Sequence, residues 1–356
     1  MKTGILTYHH TRNYGSWLQA YALQEKMTQL RIENEIIDYR CPAIESREKP
    51  KDFKFSLNPK SVLKDYIYVR PLRKLYGAFE SFSSKYYKLS DKAYYPETIK
   101  EANAIYDNFL IGSDIVWGTH INDCDMTYFL DFVDAGKRKY AFAASIGEKW
   151  PESQQSMISK AINNFDDIAV REIQSAMWIE EICHRKVRTV CDPTMLLTSR
   201  EWEKFAGPRR IKEKYILVYF MDKEGRNIND ALALGKKLNL AVYYVGFTNK
   251  LKGVKSYFIS DPADFVSVIK NAEVTFCGSY HGTLFSLYMN TPFYYYYKHS
   301  SSRMESLAKM LAIEDRFGPG NDFEGPVEMN FDEINKRMED LRNDGINVLE
   351  EFQLGV

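Results

Sequence analysis

The chain has 356 residues, 45% of them apolar, enough to bury the cores of two ordinary domains. Its 48 basic and 48 acidic side chains cancel, so no global field draws it onto nucleic acid, and no RNA- or DNA-binding motif is present. Five scattered cysteines (Cys41, Cys124, Cys183, Cys191, Cys277) form neither a CxxC pair nor a zinc cluster, and neither a signal-peptide pattern nor a membrane-length apolar run is seen; the expectation is a cytoplasmic protein with reduced thiols.

Strand and helix patterns alternate from the start. Residues 4–8, 35–39, 108–111, 139–145, 168–170 and 187–191 read as short buried strands, with helical spacing over 17–30, 152–164 and 173–183. Such alternation predicts a parallel sheet covered on both faces. Between Lys49 and Lys92 lies a longer excursion with eleven Lys/Arg against four Asp/Glu, interleaved with aromatics such as Phe53, Phe79 and Phe82. It reads either as a solvated helical excursion or as a surface drawn to an anionic membrane or a diphosphate-linked sugar.

A charged segment around Gly207 and Pro208 reads as the crossing between domains. A second alternating unit follows, with strands over 215–221, 241–247, 274–277 and 293–297 and helices over 228–238 and 262–271. The expected organisation is one domain over 1–200, a second over 213–330, and a C-terminal helix within 331–356 packing back across both. Tyr294, Tyr295, Tyr296 and Tyr297 fit a strand with one buried face better than a sugar-stacking platform.

The densest chemistry follows the strand at 274–277. Gly278-Ser279-Tyr280-His281-Gly282-Thr283 puts an imidazole, two glycines and two hydroxyls at the mouth of a helix, whose first N–H groups attract an anion. An imidazole there can move protons at neutral pH beside a phosphate. A helix-capping turn is the competing reading. At the other end, His9-His10-Thr11-Arg12-Asn13-Tyr14-Gly15-Ser16 links the first strand to the first helix. His9 and His10 lack a third partner at metal-ligand spacing and read as polar loop residues.

Together with Gly112-Ser113-Asp114-Ile115-Val116-Trp117, Ala169-Val170-Arg171-Glu172, Asp192-Pro193-Thr194 and Ser302-Arg303-Met304-Glu305-Ser306-Leu307, these segments form an ordered set of six motifs. The set resembles the polysaccharide pyruvyl transferase family from the first strand to about Phe317. The resemblance implies an α/β protein of two Rossmann-like domains facing each other across a cleft, as in GT-B glycosyltransferases. It also implies transfer of a pyruvyl group from phosphoenolpyruvate to two hydroxyls of a sugar in a cell-surface glycan precursor, giving a ketal and phosphate. Phosphoenolpyruvate is then a co-substrate, the sugar acceptor is free or diphosphate-linked, and neither cofactor nor metal is needed. Two further readings stay open: a GT-B nucleotide-sugar glycosyltransferase, and a binding protein of this fold that has lost the chemistry.

On this resemblance His281 is the proton-transfer candidate, and Asp114 the second catalytic candidate, accepting or holding a sugar hydroxyl or else capping a turn. Ser279, Gly282, Thr283, Arg303 and Arg171 are candidates for the donor site. Some relatives carry an arginine where this chain has Ser279, so the donor's cation is sought at Arg303 or Arg171. A structural ion pair of Arg171 with Glu172 or Asp192 is the alternative. Asn13, Tyr14, Gly15 and Trp117 are the acceptor candidates, with helix capping as the competing role of Asn13.

Overall fold

A computed structural model describes residues 1–11, 13–48, 70–220, 225–245, 251–259, 261–296, 302–318 and 329–354. The chain divides into two compact units. The first comprises Met1–Arg171, Ser175–Pro193 and Val348–Val356, and the second Glu172–Gln174 and Thr194–Asn347. Each is built on one all-parallel sheet.

In the first unit, strands β1 (Thr3–Leu6), β2 (Asn34–Ile36), β3 (Asn108–Ile111), β4 (Arg138–Ala144), β5 (Asp167–Val170) and β6 (Arg188–Thr189) run in the order β2-β1-β3-β4-β5-β6. Every residue of β1 and β3 is buried, as expected of parallel strands covered on both faces. Successive strands are added on one side of β1 and then on the other, so the order reverses between β1 and β3. Open α/β sheets bind ligands at such a reversal, beyond the carboxyl ends of the strands.

The second unit contains β7 (Tyr215–Tyr219), β8 (Ala241–Val245), β9 (Lys255–Tyr257), β10 (Val274–Cys277) and β11 (Phe293–Tyr295) in the order β11-β10-β7-β8-β9. Its reversal lies between β7 and β10. The segment around Gly207, expected as a crossing, belongs to this unit: helix Ser199–Phe205 opens with a capping box between Thr198 and Glu201. Its Trp202 is fully buried, with its ring 4.9 Å from Phe285 and stacked 6.4 Å from Tyr288, and its Nε1 donates to the Thr194 carbonyl at 2.8 Å.

The aromatic side chains of helix Arg70–Tyr86 turn inward. Phe79 and Phe82 are buried, with centroids 4.9 and 6.0 Å from Trp17, and the Tyr87 hydroxyl donates to the Trp17 carbonyl at 2.8 Å. These rings cover helix Tyr14–Gln29 and so belong to the packing of the first unit; residues 49–69 of the basic stretch lie outside the described residues. No described helix is long and apolar enough to cross a membrane. The last helix, Phe331–Leu354, anchors in the second unit, where Arg342 Nε donates to the Met195 carbonyl at 2.8 Å. Its end belongs to the first unit, where Phe352 stacks on Tyr140 at 4.7 Å.

Candidate active site

Two groups of candidate residues occupy the two reversal points. In the first unit, the loops after β1 and β3 meet there. Asn13 caps helix Tyr14–Gln29, its side chain accepting from the Gly15 N–H at 2.9 Å, so its capping role holds. Ser16, in the first turn, donates its hydroxyl to Asp114 Oδ2. Asp114 Oδ1 accepts from the Ile115 N–H at 2.8 Å, fixing the other carboxylate oxygen.

The backbone at Asp114 is left-handed, with φ of 74°, a conformation that short polar side chains tolerate better than alanine. It is accommodated by a register shift in β4 between Phe142 and Ala144, after which Ala144 pairs with Asp114 and the Ser145 N–H donates to the Asp114 carbonyl at 3.0 Å. Bulges and strained residues gather where a side chain has to be re-aimed. A buried ring of hydrogen bonds closes around it. Gln19 Nε2 donates to Thr7 Oγ1 at 2.9 Å and to the Ser16 carbonyl at 3.0 Å, and Thr7 Oγ1 donates to the Ser113 carbonyl at 2.9 Å. Thr7, Ser16 and Gln19 were not among the sequence candidates. Their local signal is that they are polar residues beside apolar ones, Thr7 just after Ile5 and Leu6, and Ser16 and Gln19 on either side of Trp17 and Leu18.

Two expectations are corrected here. Trp117 is fully buried, stacked 5.9 Å from Phe129, with Nε1 donating to the Tyr128 carbonyl at 2.9 Å; its ring is core and offers no face to a sugar. Arg171 is 1% exposed and its Nη1 meets Asp192 Oδ2 at 2.9 Å, with Asp192 equally buried. The guanidinium thus forms the structural ion pair, and its Nη1 also reaches Ser113 Oγ at 3.4 Å. Tyr14 is nearly buried, its ring edge-on to Trp17 at 5.4 Å.

In the second unit, helix Tyr280–Tyr288 begins just beyond β10, and His281 is its second residue. The first turn is built by its own side chains. Ser279 Oγ accepts from the Gly282 N–H at 3.1 Å, and the Ser279 carbonyl accepts from the Thr283 N–H and from Thr283 Oγ1, both at 3.2 Å. Thr283 is fully buried, so the expectation that it contacts a donor phosphate is corrected: its hydroxyl is used within the turn. Gly282 is needed for packing, since a Cβ there would stand 2.6 Å from the Tyr219 ring of β7. Ser279 uses its oxygen as the cap. His281 is 8% exposed and its ring is edge-on to Tyr280 at 5.3 Å.

Arg303, half-buried, is the second residue of helix Ser302–Leu311, the helix after β11. Thus His281 and Arg303 follow the carboxyl ends of two paired strands. The Cys277 thiol is pushed up to about 11 by burial, so it stays protonated and is no nucleophile at neutral pH. Among the described residues, no group of three or more His, Cys, Asp or Glu is placed to hold a metal ion.

The paired histidines, expected as simple loop polars, are buried and fixed. His9 Nε2 meets Asp38 Oδ1 at 2.9 Å, and His10 bridges Glu45 Oε1 and the Tyr76 hydroxyl, the latter at 3.0 Å. Burial would raise the Asp38 carboxyl; the hydrogen bonds from His9 and Arg40 outweigh it and hold the group well below the usual carboxylate range.

Comparison with known proteins adds two findings. The family profile described as polysaccharide pyruvyl transferase matches residues 13–300. Among solved structures, a putative UDP-N-acetylglucosamine 2-epimerase from Listeria monocytogenes superposes with a TM-score of 0.50 at 9% identity, over 98% of this chain and 90% of that one. A UDP-GlcNAc 2-epimerase from Neisseria meningitidis, bound to UDP-GlcNAc, gives 0.48 at 12% identity, over 99% and 100%. At such identities the likeness concerns the fold alone, which is α/β and GT-B-like. No curated protein sequence matches the chain.

Proposed function

This chain belongs to the polysaccharide pyruvyl transferase family, and from that premise we propose that it transfers pyruvate from phosphoenolpyruvate to two hydroxyls of one sugar in a cell-surface glycan precursor. The observation that carries the proposal is the position of His281, on the first helical turn beyond β10 at the reversal point of the second sheet. A helix N-terminus at such a point suits a phosphorylated donor. An imidazole there suits a proton transfer.

In the proposed reaction, His281 delivers a proton to the methylene carbon of the enol, making the adjacent carbon electrophilic. One sugar hydroxyl adds to that carbon and gives its proton to Asp114. The carbon–oxygen bond to phosphate breaks, and the second hydroxyl closes the ketal as its proton leaves with the phosphate as hydrogen phosphate; His281 and Asp114 then return to their starting protonation by exchange with solvent. Arg303 supplies the cation for the donor carboxylate or phosphate. Charge development on the leaving phosphate is met by the helix N-terminus rather than by a side chain at position 279.

Calorimetric titration of the full chain tests the donor. Saturable binding of phosphoenolpyruvate in excess chelator is the expected result. Binding of a nucleotide sugar, with no binding of phosphoenolpyruvate, would reassign the protein to glycosyl transfer.

A further inference from the structure

The first unit holds a second polar recess, on the β2 side of the loop after β1. Tyr8, His9, His10 and Thr11 line it together with Tyr39 and Glu45, and its cavity of about 10 Å³ lies within a free volume of about 200 Å³ that includes open solvent. That cavity admits one water-sized group.

The charged groups around it are engaged with one another. Asp38 accepts from His9 at 2.9 Å and from Arg40 Nη2 at 2.9 Å, while His9 Nδ1 lies 3.2 Å from the Thr7 carbonyl. His10 has Glu45 on one ring nitrogen and Tyr76 on the other. The neutral hydroxyls differ. Tyr8 Oη and Thr11 Oγ1 are buried and have no hydrogen-bond partner among the described residues. Tyr8 is only 5% exposed, and burial keeps it a phenol, with the negative charge of Asp114 acting in the same direction. The Asn122 side chain approaches the phenol, and its Oδ1 is likewise buried without a partner. Buried polar groups in folded proteins are nearly always satisfied, so such a cluster calls for an occupant.

We propose that this recess is a subsite for one alcohol group of a carbohydrate, held between the hydroxyls of Tyr8 and Thr11. Among the described residues, the Arg40 guanidinium beside the recess is already engaged by Asp38 and Glu45, which disfavours an anion there, and a cation would compete with Arg40 for the same carboxylates. An alcohol both donates and accepts, which is what two neutral hydroxyls require. The loop that carries Tyr8 and Thr11 runs on to Asn13 and to Ser16, the partner of Asp114. The inference deepens the acceptor reading given above and rests on it.

Saturation-transfer NMR and calorimetry on the full chain test this with the methyl pyranosides of glucose, galactose, mannose and N-acetylglucosamine as probes, phosphoenolpyruvate being titrated separately. At least one glycoside should bind. Tyr8→Phe and Thr11→Val should each weaken it about tenfold or more, with phosphoenolpyruvate affinity unchanged and Tm equal to or above that of the parent, because each removes an unsatisfied buried group. Failure of every glycoside to bind at tens of millimolar overturns the proposal. Equal affinity in Tyr8→Phe also overturns it, leaving an ordered water as the occupant, as does a clear fall in Tm, which would make the phenol a structural partner of Asn122. Glycoside binding without phosphoenolpyruvate binding would leave the subsite standing and remove the donor assignment.

Discussion

The Ser16 hydroxyl donates to Asp114 Oδ2, so the helix that follows β1 grips the carboxylate that leaves β3. The grip spans the reversal point of the first sheet and fixes a side chain whose own backbone is held in a left-handed turn. Helix, turn and bulge together make Asp114 rigid before any ligand arrives, a condition for a group that must meet a hydroxyl in one orientation.

Substitutions at Asp114 should separate its carboxylate from its backbone. Asp114→Asn keeps a residue that tolerates the left-handed turn and should lower kcat by about 10²–10⁴-fold if the carboxylate takes a proton. Asp114→Gly and Asp114→Ala should lose activity alike, but the alanine variant should be less stable than the glycine variant by about 1–2 kcal/mol. Phosphate release and urea unfolding read the two effects. Normal turnover by Asp114→Asn would remove the carboxylate from the chemistry.

The same division applies to the second unit. His281→Ala should lower kcat by about 10²–10⁴-fold with little change in phosphoenolpyruvate affinity, and Arg303→Ala should chiefly weaken that affinity. Turnover in D₂O should place deuterium in the ketal methyl group. A methyl group without deuterium would refute protonation of the enol carbon from an exchangeable acid.

Gly282→Ala should destabilise the protein by about 1–3 kcal/mol, the usual cost of overpacking, because its Cβ would meet the Tyr219 ring at 2.6 Å. Tyr219→Ala in the same chain should recover part of that loss relative to Tyr219→Ala alone. A Gly282→Ala protein with wild-type melting behaviour would show that the turn can move away from β7.

Breaking the buried pair at one end should be costly. Asp192→Asn removes the Asp192 charge from beside the buried Arg171 guanidinium and should destabilise by about 3–5 kcal/mol, whereas replacing both partners by apolar residues should lose much less. Urea unfolding measures both variants.

The acid limb of stability should depend on Asp38. Its carboxyl is depressed in the folded chain, so its contribution is full above the unfolded value near about 4 and fades as pH falls below it. Asp38→Asn should lower stability at neutral pH and flatten its fall below about pH 4, as followed by circular dichroism. An unchanged acid limb would contradict the assignment.

The order of elements is legible because buried parallel strands are short apolar runs, and 4–8, 108–111 and 274–277 read that way without help. β9 does not, since Lys255–Tyr257 is an edge strand with largely exposed side chains and no apolar alternation. The turn at His281 and the loop to Asn13 stand out as local motifs. What stayed hidden depends on distant partners: His9 and His10 gain their setting from Asp38, Glu45 and Tyr76, and Ser16 from a carboxylate 98 residues away. Trp117 misled for the opposite reason, because an aromatic beside a motif carries no mark of which way it turns.

The packing of Trp202 has a spectroscopic consequence. Four of the five tryptophans, at positions 17, 117, 150 and 178, lie in the first unit, which leaves Trp202 as the single indole of the second. It is sealed between Phe285 and Tyr288, beside the same helix that carries His281. A chain with the other four replaced by phenylalanine would emit from that helix's packing alone. Its fluorescence would then report opening of the second unit while far-UV circular dichroism follows both, so unequal midpoints would reveal independent melting of the two halves.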